Sequence, residues 1–445
     1  MRRRSLRKRK RPKIIHKKNR AVYQARYAAG YRDGRVKGAA SYHEPFAGTS
    51  IIIPTYNQLG YLRGCIESIQ RYTNEPYEMI IIDNGSTDGT PAYLKSLSGT
   101  VRYKIFSKNL GFAGGVNQGL MMAKGTTIVI LNNDTLVTTN WLSNLLLCLR
   151  SDPSIGLVGP VTNYLSNDQK IEVNYKNMVE MQSFAQNHNH SDSQRWRRSK
   201  GIMGFCLLLT REVLQRVGYF DEGYVIGTCE DVDYYLRIRL LGLDLVVAED
   251  TFIHHYGSVT MRSFLDASLL NNAFFLEKWG DWEKIGRLEK VMDSVFSGQQ
   301  RKGSDFYPSH ILVTGTDSKL YWVENGLRYI VHSSNAPRND AVRLPQLELW
   351  NWPIGGDISE ATVQQKINAL SVLTTAIIEG GFVITQDGEI HQLTEGKLHR
   401  MTTKQAFKAW GLEHRYIRPL TEGDKKQFSD GLPIIAPPII KADNI

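Results

Sequence analysis

At 445 residues, 42% hydrophobic and 22% charged, the chain has length for two or three domains with real cores, and its composition excludes disordered and fibrous classes. The net charge of +11 is concentrated: residues 1–20 hold twelve Lys/Arg and no acid, so the remainder is near neutral. Cys65, Cys148, Cys206 and Cys229 show no C-x-x-C spacing, which excludes a zinc or disulfide framework and fits a reducing cytosol.

Residues 1–47 read as a basic, largely disordered tail with a short helix, since the like charges repel and bury little. Lipid headgroups, non-specific nucleic acid and simple solubility are the uses open to such a tail. Peripheral contact with an anionic membrane at the inner face of the cell membrane is the preferred one, at about 1 kcal/mol per basic residue near the surface. Specific nucleic-acid binding is not expected of a near-neutral body. No apolar run approaches the roughly 18 residues of a membrane span, and no apolar segment follows the basic run as in a secretory signal, so a cytoplasmic protein is expected.

The folded part opens with Ser50-Ile51-Ile52-Ile53-Pro54-Thr55-Tyr56-Asn57, a buried strand with a polar tip. Helical spacing follows over 58–71. Met79-Ile80-Ile81-Ile82-Asp83 is a second strand, entering the turn Asn84-Gly85-Ser86-Thr87-Asp88-Gly89-Thr90 and a helix with Pro91 in its first turn. A third strand over 101–107 leads to Asn109-Leu110-Gly111-Phe112-Ala113-Gly114-Gly115-Val116-Asn117-Gln118-Gly119 and another helix. Ile128-Val129-Ile130-Leu131 then ends in Asn132-Asn133-Asp134. Alternating strands and helices predict an α/β protein with an open, mostly parallel sheet. All the polar tips would then share one sheet edge, where such folds bind ligands. Asp134 there is a hard oxygen ligand for Mg²⁺ or Mn²⁺.

These four motifs, in this order, resemble a family 2 glycosyltransferase of the GT-A fold, in its rhamnosyltransferase-like branch, over about 48–282. The resemblance implies a nucleotide-diphosphate sugar donor (UDP- or dTDP-linked), a divalent metal and inverting displacement by a glycan or glycoconjugate hydroxyl, as in bacterial cell-surface polysaccharide synthesis. By resemblance, Thr55, Tyr56 and Asn57 line the nucleotide pocket and Asp83 accepts from a pyrimidine N–H. Asp88 holds the base or the loop. Asn109, Gly111 and Asn117 close over the nucleotide and sugar, and Asn132 and Asn133 lie at the donor. The family commonly carries Asp-x-Asp where this chain has Asn-Asn-Asp, which leaves Asp134 the one charged ligand of that turn and implies weaker metal binding.

Trp141–Leu149 and 155–160 read as a helix and a strand. Residues 163–200, with His188 and His190, are polar and expected to be a solvated loop. A strand then leads to a helix capped by Thr210. Cys229-Glu230-Asp231-Val232-Asp233 opens a further helix. Acids suit a helix start, and Asp233 with Arg237 is an i, i+4 pair. A carboxylate facing a cleft can also take the proton of an attacking hydroxyl. The stretch resembles the family's Glu-Asp base motif, with Asp231 as general base and Glu230 as acceptor anchor or alternate base. His254 and His255 resemble a diphosphate or metal contact, either being able to supply the missing ligand, with Ser258 and Thr260 meeting phosphate oxygens.

Residues 283–307 read as a helix and linker. Beyond them, 319–331, with Asn325-Gly326 at its turn, and 389–401 repeat one hairpin shape about seventy residues apart. Residues 308–445 are therefore expected to be two small β-rich accessory units. A catalytically inactive carbohydrate- or surface-binding protein and a nucleotidyltransferase are the alternatives to the transferase.

Overall fold

A computed structural model describes residue 29 and residues 44–97, 99–165, 168–257, 265–295, 300–316, 319–332, 341–372 and 376–441. The basic run 1–20, most of the short helix expected after it, and Ser258 and Thr260 lie outside these. Residues 48–445 form one compact unit.

The strands are β1 (Phe46–Thr55), β2 (Tyr77–Asp83), β3 (Arg102–Ile105), β4 (Gly125–Leu131), β5 (Thr135–Leu136), β6 (Ile155–Val161), β7 (Trp196–Ser199), β8 (Cys206–Thr210), β9 (Asp244–Phe252) and β10 (His254–His255). Eight of them make one sheet in the order β3-β2-β1-β4-β8-β6-β9-β7, while β5 and β10 pair separately. Parallel pairing joins β1 to β2, β2 to β3 and β6 to β9. The second half is mixed, because β8 runs antiparallel to both β4 and β6. The open α/β sheet read from the sequence is thus present.

Period-two alternation explains the apolar runs. Ile52, Ile80, Ile82, Ile128 and Ile130 face one core, and Ile51, Ile53, Ile81, Val129 and Leu131 face the other. With both faces covered, the strands read as continuous hydrophobic stretches. Helix α1 (Leu59–Tyr72) follows β1, α2 (Thr90–Ser96) follows β2 and α3 (Gly111–Met122) follows β3. Gly119 of α3 sits so close to β1 that a Cβ there would lie 2.3 Å from Ile52 Cγ2. After α4 (Trp141–Ser151), the polar 163–200 stretch departs from the expected loop. It carries α5 (Met178–His188) and β7, an edge strand paired antiparallel to β9. His188 Nε2 meets the carbonyl oxygen of Glu249 at 2.8 Å. Polar side chains suffice here because one face of an edge strand meets water. Thr210 caps α6 (Arg211–Val217) as read from the sequence, its Oγ1 accepting from the Val213 amide at 3.1 Å. Helix α7 (Glu230–Leu240) precedes β9, and α8 (Leu265–Trp279) and α9 (Trp282–Val295) follow β10.

The C-terminal region adds β11 (Ile311–Thr314), β12 (Leu320–Glu324), β13 (Leu327–His332), β14 (Val342–Arg343), β15 (Ile354–Ser359), β16 (Phe382–Ile384), β17 (Ile390–Thr394), β18 (Lys397–Arg400), β19 (Ile417–Pro419) and β20 (Ser429–Asp430), which make two five-stranded sheets, β14-β11-β12-β13-β15 and β19-β16-β17-β18-β20. The central hairpins are β12 (Leu320–Glu324) with β13 (Leu327–His332), and β17 (Ile390–Thr394) with β18 (Lys397–Arg400). In each sheet the first strand, β11 (Ile311–Thr314) or β16 (Phe382–Ile384), is antiparallel to the hairpin. In each, the two outer strands pair parallel. Both hairpin turns place two residues at positive φ, Asn325 and Gly326 in one, Glu395 and Gly396 in the other, as two-residue hairpins favour. Of the tryptophans here, Trp322 and Trp410 are buried in the core, whereas Trp350 is exposed. One apolar cluster runs without a break from Ile52 through Trp279, Tyr321, Leu349 and Phe407 to Ala436.

Glu348, on the short helix α10 (Gln346–Trp350), is buried at the junction with α6. Burial pushes its carboxyl up to about 8, against the pull of Arg237. Its ordinary value is 4.5, so between the two values the folded chain holds a proton that the unfolded chain has lost. That stability is complete below the ordinary value and is lost as pH rises through the folded one. Denaturant melts should therefore show stability falling over this window by up to about 1.4 kcal/mol per pH unit. Glu348→Gln should flatten the slope; an unchanged slope would place the titration elsewhere.

Candidate active site

The sheet order reverses between β1 and β4, the switch at which open α/β sheets bind ligands. A hydrogen bond crosses it, from Asn133 Nδ2 to Thr55 Oγ1 at 2.9 Å. Beside it, Asp83 ends β2 fully buried. Its Oδ1 accepts from the Ser86 amide at 2.9 Å, while Oδ2 is buried without a partner. A native carboxylate rarely leaves a buried oxygen unpaired, so this oxygen suits a ligand N–H.

The loops after β1 and β2 tie each other down. The Asn57 amide donates to Ser86 Oγ at 2.7 Å, and Asn57 Oδ1 accepts from the Thr87 amide at 2.8 Å. Asp88 accepts from the amides of Leu59 at 3.1 Å and Thr90 at 2.9 Å. These two bonds fasten the loop after β2 to the start of α1. Tyr56 is half-buried at the same tip.

Asn84, unnoticed in the sequence, clamps the next loop. Its Nδ2 donates to the Gly111 carbonyl at 2.7 Å, and its Oδ1 accepts from the Leu110 amide at 3.2 Å. Asn109 Oδ1 accepts from the Gly111 amide at 2.8 Å. Asn117 is not brought into this cleft surface. Its buried amide is spent on the Phe220 backbone and on Glu222, at 2.9 Å each.

The Asn132-Asn133-Asp134 turn meets the histidine pair through β5 and β10, with His255 opposite Thr135 and His254 opposite Leu136. Successive strand residues face opposite ways, which separates the two rings where spacing could not. His255 Nε2 lies 3.3 Å from Asp134 Oδ1. His254 instead meets the Tyr175 hydroxyl through Nδ1 at 2.6 Å, and burial holds it neutral, down at about 4. His255 Nδ1 lies 3.1 Å from the Tyr164 carbonyl oxygen and must donate to it. The lone pair of a neutral Nε2 then faces a carboxylate oxygen. Two acceptors so placed call for a cation between them, a proton or a metal ion, and a carbonyl accepting from the far ring nitrogen is the usual setting of a metal-bound His. Among the described residues no group of three or more His, Cys, Asp or Glu is placed to hold a metal, so most of a metal's shell here would come from ligand phosphate and water.

From His255 the site runs on to the acids of α7. The Phe205 ring stacks on His255 with centroids 5.3 Å apart, and its carbonyl accepts from the Asn132 amide at 2.9 Å. Its neighbour Gly204 donates its amide to Asp231 Oδ2 at 3.0 Å. A Cβ on Gly204 would sit 3.2 Å from Asp231 Cβ, so any side chain at this strand entry would press on Asp231. Asp231 Oδ1 accepts from the Val232 amide at 2.9 Å. A carboxylate has about four lone-pair positions, so Asp231 keeps room for a substrate hydroxyl. Glu230 accepts from the Thr228 amide. Burial raises both carboxyls above their ordinary range, and at Glu230 the charge of Asp231 adds to the rise.

The loop before α7 is strained: Ile226, Thr228 and Cys229 all have positive φ, at a cost of order 1–3 kcal/mol each. Asn271 of α8 holds it, accepting from the Val225 amide at 2.7 Å and donating to the carbonyls of Val225 and Thr228 at 2.9 and 3.1 Å. The Ile226 carbonyl in turn receives the Phe112 amide at 2.7 Å, so the loop touches both the Gly111 turn and the acids. Beneath α7, Asp233 pairs with Arg237 at 2.9 Å and with Lys278 at 2.6 Å, and Lys278 also binds Asp221 at 2.6 Å.

Residues 50–218 match the model of Glycosyl transferase family 2; this stretch, from β1 to the end of α6, is a family 2 glycosyl transferase domain. Glycosyltransferase AglE of Haloferax volcanii is 25% identical over 308 residues, covering 64% of this chain and 96% of that protein. Uncharacterized protein y4gI of Sinorhizobium fredii is 26% identical over 238 residues, 48% of this chain, and the match spans only 25% of its own length. Among solved structures, GalNAc-T7 with UDP, GalNAc and Mn²⁺ overlaps 54% of this chain and 50% of its own at 16% identity, with a TM-score of 0.41. No described helix is long and apolar enough to cross a membrane.

Proposed function

We propose that this chain is an inverting glycosyltransferase that moves a sugar from a UDP- or dTDP-linked donor to a hydroxyl of a glycan or glycoconjugate, of the kind used in cell-surface polysaccharide synthesis. The observation that carries this reading is the continuous line His255–Phe205–Gly204–Asp231. It sets a cation-seeking pair and a buried base on one edge of the sheet. Asp83 Oδ2 receives the pyrimidine N–H, and the tied loops at Asn57 and Asn84 shape the nucleotide pocket around Thr55 and Asn133. Asp134 and His255 would hold a divalent cation, Mn²⁺ or Mg²⁺, which when bound neutralises charge on the departing diphosphate. Asp231 takes the acceptor's proton as its oxygen attacks the anomeric carbon. Glu230, adjacent to it, anchors the acceptor or serves as the alternate base.

The test is release of nucleoside diphosphate from a panel of nucleotide sugars with Mn²⁺, Mg²⁺ or EDTA. One donor should be hydrolysed slowly, the activity should vanish with EDTA, and Asp134→Ala should lower it by about 10²-fold or more, since such charge stabilisation contributes several kcal/mol. His255→Ala should raise the Mn²⁺ concentration needed for half activity, whereas His254→Ala should not. Hydrolysis indifferent to EDTA removes the metal from this scheme, and failure to bind any donor nucleotide removes the transferase reading.

A further inference from the structure

A large cavity lies away from the sheet edge, in the C-terminal region. It measures about 1030 Å³ and is lined by both hairpins and by 300–309 and 351–353. Small-ligand pockets span roughly 300–1,000 Å³, so this one has room for an extended molecule. On its wall is His391 of β17, 4% exposed. Neither ring nitrogen has a hydrogen-bond partner, and the nearest acid, Glu389, lies 3.9 Å from Nε2, beyond hydrogen-bond reach.

The two hairpins show why this side chain is unusual. Counted from the turns, the cross-strand pair Tyr321–Ile330 of the first corresponds to His391–Arg400 of the second, and Trp322–Tyr329 corresponds to Gln392–His399. Where one copy fills its interior with aromatic and aliphatic groups, the other carries four polar ones, and all four line the cavity. Three of these are engaged. Gln392 bonds the Ser309 backbone at 2.8 and 3.0 Å, His399 Nδ1 donates to the Leu432 carbonyl at 3.0 Å, and Arg400 pairs with Glu389 at 3.1 Å. His391 alone of the four has nothing to bind within the protein.

Burial keeps the His391 ring neutral. A neutral imidazole offers one N–H donor and one lone pair, and a hydroxyl satisfies either. The lining holds five Lys/Arg (Arg301, Lys302, Lys397, Arg400, Lys425) and four Asp/Glu (Asp305, Glu389, Glu395, Asp430). That near balance disfavours a polyanion, which would meet the acids as well as the bases, and suits a ligand with many uncharged hydroxyls.

We propose that this cavity is a second carbohydrate site, separate from the catalytic edge, which binds a neutral oligosaccharide with His391 hydrogen-bonded to its hydroxyls. The proposal stands whether or not the catalytic assignments do. It is tested on the full-length protein, without nucleotide sugar, by a printed array of neutral and anionic oligosaccharides, followed by calorimetric titration of the glycans bound. Wild type and Asp231→Asn should bind the same neutral glycans with equal affinity. His391→Leu should weaken binding about tenfold or more, while His391→Gln, which keeps one donor and one acceptor, should retain most of it. His391→Tyr, which installs the residue the first hairpin already accommodates, should abolish binding and serves if His391→Leu does not fold. Binding lost in Asp231→Asn, binding of anionic glycans only, no glycan bound at all, or affinity unchanged in folded His391→Leu and His391→Tyr would each overturn the proposal.

Discussion

Asp231→Asn is expected to lower sugar transfer by about 10²- to 10⁴-fold, the range lost with a positioned general base. The change is nearly isosteric. The amide oxygen can still accept from Gly204 or Val232, which now hold the carboxylate at 3.0 and 2.9 Å, so the strand entry and the start of α7 should keep their places. Donor affinity, which the proposed function assigns to the tips of β1, β2 and β4, should stay within about twofold, as expected for removal of a group acting only in the transition state. Initial rates with a defined acceptor, beside nucleotide titrations, separate the two quantities. The pH profile adds a second check. Burial raises the Asp231 carboxyl, so the acid limb of the wild-type rate should lie above the ordinary aspartate range and disappear in the variant. A deficit under tenfold in Asp231→Asn, with a large one in Glu230→Gln, would transfer the base role to Glu230.

The second large effect is structural. Lys278→Met should cost about 3–5 kcal/mol of folding stability, the usual loss when one partner of a buried ion network is removed. The Lys278 ammonium is 2% exposed and lies 2.6 Å from both Asp221 and Asp233. Asp233 would keep Arg237 and the Trp279 indole N–H, at 2.9 Å each. Asp221 would keep only backbone amides, those of Gly223 at 2.8 Å and Ile439 at 3.0 Å. Asp221→Asn in the same background should therefore recover part of the loss, because it removes the stranded charge. Urea melts of the single and double variants measure both effects. A loss below about 1 kcal/mol would mean that water enters and replaces the ammonium.

The strands were legible because a sheet covered on both faces demands unbroken apolar runs, and Ile51–Ile53, Ile80–Ile82 and Ile128–Leu131 are such runs. Local chemistry also spoke for itself at the Thr210 cap and the Asn325-Gly326 turn. Edge placement of Asp83 and Asp134 followed from strand-end position alone. What escaped depended on contacts remote in sequence. His254 and His255 are equivalent until the register with Thr135 and Leu136 is known. Asn117 looked like a cleft residue because nothing near it announces Phe220 and Glu222 as its partners. Lys278 sits in an ordinary amphipathic helix, and only packing brings it to two aspartates. The 163–200 stretch hid its helix and edge strand because a half-solvated strand can be built from Trp, Arg and Ser with no apolar period. Gly204 left one faint trace, the spacing Gly201-x-x-Gly204 ahead of a strand.

The apolar cluster that runs from Ile52 to Ala436 has a practical corollary. Chains whose parts share one interior melt together, so calorimetry should record a single heat-absorption peak, with equal van't Hoff and calorimetric enthalpies. A fragment cut after residue 282 would lose the cover over Tyr219, Phe220 and Trp279, together with the Ile439 and Lys441 backbone groups that bind Asp221 and Glu222. Such a fragment would be a sticky, half-clad species and a poor stand-in for a minimal enzyme.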